Sequence, residues 1–325
     1  MYDIVMSIVI YKHSFSDLEK LITEFFRKKI NQKLVIVDNS PTRSFEIELK
    51  SNINIIEYDI EYIYADSNFG YASANNRAIE KFSSKTKYFL VSNPDIFFKI
   101  EELEKLKNFA DEKYKNGGFG IISPKIQYED GELQYLCKLL PTPMNLFARR
   151  FLFMFKETLK KIDYNYEYRF TDYNEIIEVP FLSGCFMFLD ATNLRKENGF
   201  DDNFFMYLED TDLSRRMFKY GNYFFPDVKI RHDFNKSSFK SFKMTLRHIE
   251  SAVRYFNKWG WFSDEERKTW YKIQNLQVMD EVELSNYVYR RNDTFELEPL
   301  NETLQRSRFS KCYFESKIEV KNKLI

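Results

Sequence analysis

The sequence predicts an α/β fold with a mainly parallel sheet flanked by helices, on three observations. Short, continuous runs rich in β-branched residues, such as "MSIVIY" (6–11) and "KLVIVDNS" (33–40), have the pattern of strands buried on both faces. Segments with apolar residues at helical spacing alternate with these runs, which implies crossover helices between parallel neighbours. Asp38, the segment 66–70 and the segment 93–95 all follow predicted strands, and in such sheets ligands bind outside the carboxyl ends of the strands.

The elements follow in order. After the first strand, "SFSDLEKLITEFFRKK" (14–29) puts Leu18, Leu21, Ile22, Phe25 and Phe26 on one helical stripe, with Ser16 as the expected N-cap and Glu19 as its capping-box partner. The second strand ends in Asp38 and Asn39. Residues 53–59 and 60–66 are strand candidates, 71–83 a helix, and 87–98 a strand that stops at Pro94. A charged helix is expected over 99–116 and a strand over 117–126. From 138 to 178 prolines, arginines and large apolar residues mix without a clear period. Residues 178–190 read as a strand containing Gly184, 210–220 as a helix, and "YFFPDV" and "IRHDF" as two short strands, the second closing on His232. A basic amphipathic helix is expected over 241–258. After 263 the chain turns polar, as a loosely packed appendage would.

Composition narrows the function. At 325 residues the chain accommodates one large domain or a domain with an appendage. Lys plus Arg equals Asp plus Glu at 49 each, which argues against nucleic acid as the main partner. The 18% aromatic content reads in part as codon bias, since Lys, Asn, Ile and Phe are also abundant, and in part as the lining of a core or a groove. Cys137, Cys185 and Cys312 are widely spaced and odd in number, so no disulfide framework or metal spacing is expected, and a reducing compartment is. The first apolar run is too short for a signal peptide, and no run reaches the length of a membrane span. The expected location is the cytoplasm. Phe147–Phe155 with Arg149 and Arg150, and the helix with Lys243, Arg247 and Arg254, read equally as contacts with the cytoplasmic face of an inner membrane or as ordinary packing.

Five places carry candidate chemistry. Asp38 at a strand end reads as a turn residue or as an acceptor for a nucleotide base or ribose. Asn68 and Gly70 precede a helix, with one glycine where a phosphate-cradling loop would have several, so an N-cap and tight turn compete. Asp95 in "NPD" sits where a carboxylate holds a hard divalent cation against a diphosphate. His232 beside Asp233 reads as structural or as an imidazole donor that suits manganese. Glu209 and Asp210 follow Phe204, Phe205, Met206, Tyr207 and Leu208, and open a helix. Carboxylates there complement the helix dipole, and apolar neighbours would lift a pKa toward the range a general base needs. Arg215 and Arg216 read as partners for these acids, ahead of a reach toward phosphate, and Asp201, Asp202 and Asp212 as turn and helix-start residues.

The order "SIVIY", "VDNS", "NFGYASANN", "NPD", "FLSGCFMFLD", "GFDDNFFMYLEDTDLSRRMFKYG" and "IRHDFNKSS" resembles the inverting glycosyltransferases of family 2, especially their bacterial rhamnosyltransferase-like branch, over about residues 5–260. The resemblance implies a GT-A fold, with a Rossmann-like nucleotide-binding sheet and a C-terminal helical appendage. It implies a catalytic domain over 1–262, with a nucleotide-sugar half (1–98) and an acceptor half (99–262), followed by an appendage over 263–325. Asp38 would bind base or ribose, and Asn68 and Gly70 would floor the nucleotide-sugar pocket near Asn75 and Asn76. Asp95 matches the last acid of the DxD metal motif, with Asn93 in place of the first, and His232 completes a site for Mn2+ or Mg2+. Gly184 belongs to the substrate-binding set, Asp210 matches the catalytic base, and Glu209 orients it or touches the acceptor.

The implied function is transfer of a sugar, such as rhamnose or another hexose, from a nucleotide diphosphate donor to a glycan or lipid-linked acceptor in bacterial surface polysaccharide synthesis. Inverting chemistry needs one base and a cation rather than two carboxylates. A nucleotidyltransferase would want a glycine-rich basic loop after the first strand, where "YKHSFSDLEK" has no glycine. An inactive nucleotide-sugar-binding scaffold would have no use for Asp95, Asp210 and His232 together.

Overall fold

The computed structural model describes residues 1–52, 58–151, 162–233 and 242–278. Its chain clusters into two units, Met1–Lys138 with Tyr173–Gly260, and Leu139–Asp172 with Trp261–Ile325. The first unit is built on strands β1 (Tyr2–Ile10), β2 (Gln32–Asp38), β3 (Ile60–Tyr64), β4 (Thr86–Ser92), β5 (Ile96–Phe97), β6 (Ile121–Gln127), β7 (Cys137–Lys138), β8 (Ile177–Glu178), β9 (Phe181–Leu182), β10 (Phe186–Asp190) and β11 (Asn222–His232). The main sheet runs β3-β2-β1-β4-β10-β6-β11-β5, with β8 added on β11, and β7 pairs β9 separately.

The first four strands in this order are parallel, as the sequence predicts, with Ile10 opposite Asp38 and Asp38 opposite Tyr64. The antiparallel β10 then enters between β4 and β6, starting at Phe186 opposite Ser92. Because β11 is parallel to β6, its end at His232 returns to the edge where β1–β4 end. One sheet edge therefore collects the ends of β1–β4 and β11 and the start of β10.

Alternation along the buried strands sends side chains to opposite faces. Ile4, Met6, Ile8, Leu34, Ile36 and Leu90 form one core with helices α1 (Phe15–Phe25), α2 (Ser44–Asn52) and α4 (Ile100–Lys115). On β1 the alternate residue Ser7 bonds to Asn75 of α3 (Tyr71–Phe82) at 2.8 Å. Helices α6 (Ala191–Lys196), α7 (Glu209–Met217) and α8 (Phe242–Trp259) complete this unit. In the second unit, α5 (Pro143–Phe151) and α9 (Glu265–Val278) are described.

Several local expectations change. The N-cap of α1 is Ser14, whose backbone N–H reaches the Asp17 carboxylate at 2.8 Å, rather than Ser16 with Glu19. The single strand expected over 178–190 is three short ones, since Pro180 offers no N–H to a ladder and Gly184 lies in a turn. Conversely, the two expected strands near His232 are one, β11, with a register shift between Phe225 and Lys229 beside Pro226. Helix α2 had no sequence prediction. The strand candidate over 53–57 lies outside the described residues. The polar appendage is packed where it is described. There Trp270 is buried, and the buried Arg267 donates to the carbonyls of Pro141 and Trp261 at 3.3 and 2.8 Å.

Candidate active site

The end of the sheet edge at Asp38 is organised largely by side chains bonding to backbone. Asp38, fully buried, accepts from the Ser40 amide at 2.8 Å and from the Tyr62 hydroxyl at 2.6 Å. Beside it the Asn39 amide donates to Gly70 O at 3.0 Å, and the Asn68 carbonyl accepts the Gly70 N–H at 3.0 Å. Gly70 has φ +88°, and a Cβ there would stand 2.1 Å from the Phe205 carbonyl oxygen. Only glycine allows this close approach, which brings the start of α3 onto the segment that leads to Glu209.

Asn75 and Asn76 face inward rather than toward this edge. Asn75 ties α3 to Ser7 of β1 and to Tyr71 O. Asn76 brackets residue 200, donating to Phe200 O at 2.8 Å and accepting the Phe200 N–H at 2.9 Å. It also donates to Asp202, so that residue braces the loop before α7.

Asp210 lies in the first turn of α7, where the helix N-terminus favours negative charge. One oxygen accepts the Gly184 N–H at 2.9 Å and the other the Thr211 N–H at 2.8 Å. A Cβ on residue 184 would stand 2.9 Å from the Asp210 Cβ, so the glycine permits the contact. Burial raises the Asp210 pKa, while the two amides and the charge of Lys138 pull it back. The Glu209 pKa is raised well above the usual carboxylate range by burial, with the neighbouring Asp210 charge adding to the effect. Its Oε2 is buried with no hydrogen-bond partner among the described residues. Both carboxyls are therefore raised, Glu209 the further of the two, because Asp210 alone has two amides favouring its ionised form.

The third cluster joins β4, β5 and β11. His232 Nε2 lies 3.2 Å from Asp95 Oδ1, and its Nδ1 lies 2.9 Å from Gln134 Oε1. Burial works against a charged imidazole, but the contacts with Asp95 and Cys185 prevail and raise its pKa to about 10. Asn93 enters through its backbone, its N–H bonding to Cys185 O at 2.8 Å. The turn 183–185 therefore links both clusters, with Gly184 touching Asp210 and Cys185 touching His232. Tyr71 closes the arrangement by donating its hydroxyl to Gly184 O at 2.9 Å.

The model of the glycosyl transferase family 2 matches residues 7–191, more than half of the chain and every strand-end motif up to the 183–185 turn. The chain belongs to glycosyl transferase family 2. Rhamnosyltransferase WbbL of Escherichia coli (strain K12) is 25% identical over 260 residues, covering 76% of this chain and 91% of that protein. Among solved structures, GalNAc-T7 with UDP, GalNAc and Mn2+ has a TM-score of 0.58 at 13% identity, covering 90% of this chain and 54% of that one. This glycosyltransferase thus spans about half the length of that structure. S. aureus TarS 1–349 in complex with UDP-GlcNAc gives 0.51 at 13% identity, over 94% of this chain and 78% of that one. The fold is GT-A.

Four residues of the candidate site escaped sequence reasoning. Tyr62, Tyr71, Gln134 and Cys185 each support a predicted residue, and the partners of the last three are far away in sequence. Tyr71 and Cys185 had a signal, since each directly follows a predicted glycine, in the "NFGY" and "FLSGC" stretches. As a metal test, no cluster of three or more His, Cys, Asp or Glu side chains occurs among the described residues. Asp95 and His232 offer one oxygen and one nitrogen 3.2 Å apart, close enough to share a cation whose metal–oxygen bonds are about 2.1 Å. This two-donor set fits an ion that takes its remaining ligands from water and phosphate.

Proposed function

We propose that this glycosyltransferase is an inverting, metal-dependent hexosyltransferase of bacterial surface polysaccharide synthesis. Its donor is a nucleotide diphosphate sugar, with rhamnose the first sugar to test, and its acceptor a glycan or lipid-linked saccharide. One observation carries the reading. The amide-held Asp210 and the Asp95–His232 pair occupy one sheet edge and are joined by the turn 183–185. The resemblance to WbbL supports a deoxyhexose donor.

In this mechanism Asp38 and the Asn68–Gly70 turn receive the nucleoside. Asp95 and His232 would hold Mn2+ or Mg2+, which when bound neutralises charge on the diphosphate. Asp210 takes the proton from the acceptor hydroxyl. The oxygen bonds to the anomeric carbon from the face opposite the diphosphate, and the bond from that carbon to the phosphate oxygen breaks. Its electron pair leaves with the nucleoside diphosphate, and the proton stays on the Asp210 carboxylate. Single displacement inverts the anomeric centre and asks for no second carboxylate. Glu209, whose pKa is raised and whose Oε2 has no hydrogen-bond partner among the described residues, would donate to an acceptor oxygen in this reading.

No helix among the described residues is long and apolar enough to cross a membrane. The reading places the enzyme in the cytoplasm, peripheral to the membrane that carries lipid-linked acceptors. The test is a panel of UDP-, GDP- and dTDP-sugars with purified protein and Mn2+. Turnover or binding with one nucleotide series is expected, and neither with any of them would overturn the proposal.

A further inference from the structure

We infer that Gln134 is a positioning residue that prepares His232 to bind metal through Nε2, an inference that rests on the reading of His232 as a metal ligand. Gln134 is 5% exposed and lies 98 positions from His232 in sequence. It arrives there because the chain turns back after β6. Its N–H bonds to Ile126 O at 2.9 Å, while Gln127 at the end of β6 pairs with Arg231.

The Gln134 side chain grips His232 at two points. Its Nε2 donates to the His232 carbonyl at 3.0 Å, and its Oε1 lies 2.9 Å from the ring Nδ1. The first bond fixes the second, because an amide whose nitrogen is committed to a carbonyl presents only its oxygen to the ring. That oxygen accepts and cannot donate, so Nδ1 must carry the hydrogen. In the neutral ring the lone pair then belongs to Nε2, the nitrogen that faces Asp95 at 3.2 Å. A ligating imidazole needs this tautomer and a fixed plane, and a carbonyl oxygen on the other nitrogen supplies both.

The test uses the full chain and four variants: Gln134→Met, Gln134→Asn, Gln134→Glu and His232→Ala. Mn2+ affinity is read by electron paramagnetic resonance in the presence of UDP and of dTDP, and nucleotide affinity in EDTA by calorimetry. Gln134→Met and Gln134→Asn should weaken Mn2+ binding by about 10- to 100-fold, the usual effect of losing such a partner. Gln134→Glu, which keeps an acceptor for Nδ1–H, should recover most of the loss. Nucleotide affinity in EDTA should not change in any of the Gln134 variants. If His232→Ala weakens Mn2+ binding while Gln134→Met and Gln134→Asn leave it intact, the positioning role is overturned and the ligand reading survives. If His232→Ala has no effect on Mn2+ binding, the ligand reading itself fails. Equal losses with Mn2+ and with EDTA would make Gln134 a structural residue only and overturn the inference.

Discussion

Two amides from other residues reach the carboxylate of Asp210, whereas Oε2 of Glu209 has no hydrogen-bond partner among the described residues. That difference divides a pair which the sequence shows only as adjacent acids. It also sets a pH dependence. Burial raises both pKa values, most strongly for Glu209, so the native state keeps protons that the unfolded chain has already released. Stability from these groups is therefore full below the ordinary carboxylate range and falls as pH rises through the raised values. Glu209→Gln should melt higher than the parent at about pH 8, with the gap closing toward about pH 4, near the unperturbed carboxylate range. Scanning calorimetry across that interval checks it, and a pH-independent difference would contradict the assignment. Asp95→Ala should weaken nucleotide binding with Mn2+ present and leave it nearly unchanged in EDTA, which calorimetric titration distinguishes. At this scale Asp38, Asp95, Asp210 and His232 were legible because strand ends and local acid pairs leave a trace in sequence. Gln134 left none, because nothing in "GELQYL" refers to a histidine 98 positions on.

Between elements, the α7–α8 junction fixes the segment that presents Glu209 and Asp210. Tyr207 and Leu208 both have positive φ, 71° and 63°, an unfavourable conformation for side-chain-bearing residues. The surroundings impose it. Ser251 of α8 donates to Met206 O at 2.8 Å, and His248 packs edge-on against Tyr207. Deeper in the junction, the fully buried Asp212 accepts from Arg216 and Trp259 at 2.8 Å each and pairs with Lys258 at 2.8 Å. Asp212 lies in the first turn of α7, as its position suggests, and is also a cross-link between helices. Asp201 pairs with Lys258 and Asp202 bonds to Ser73 and Asn76, so those turn residues anchor neighbours too. Of the two arginines, Arg216 pairs with Asp212 rather than with Glu209 or Asp210, and Arg215 stacks on Trp259. Asp212→Asn should cost about 3 kcal/mol in urea unfolding, the scale for breaking a buried ion pair. A loss below about 1 kcal/mol, the level of a surface pair, would contradict the role. The basic face expected on α8 is partly neutralised, since Arg247 and Arg254 both pair with Glu250. Periodicity located α8 but could not show what it grips, because helical spacing reports which face is apolar and not which element covers it.

Over the whole molecule, the parallel half of the sheet was readable because strands buried on both faces leave continuous apolar runs. The antiparallel insertion of β10 was not, since a strand's direction leaves no mark on its own residues. That insertion brings the turn 183–185 to the edge where β1–β4 end and joins the carboxylate pair to the Asp95–His232 pair. On the proposed assignment, transfer and donor binding would depend on different residues of this edge. Asp210 is held by amides of its own edge and has no bond to Asp38 or to the Asp95–His232 pair. The decisive measurement is single-turnover transfer by Asp210→Asn beside its donor affinity. Transfer should fall by about 100- to 10,000-fold, the range for losing a general base, with the donor Kd within about threefold of the parent. Loss of donor binding with residual transfer would make Asp210 a ligand and contradict its assignment as the base.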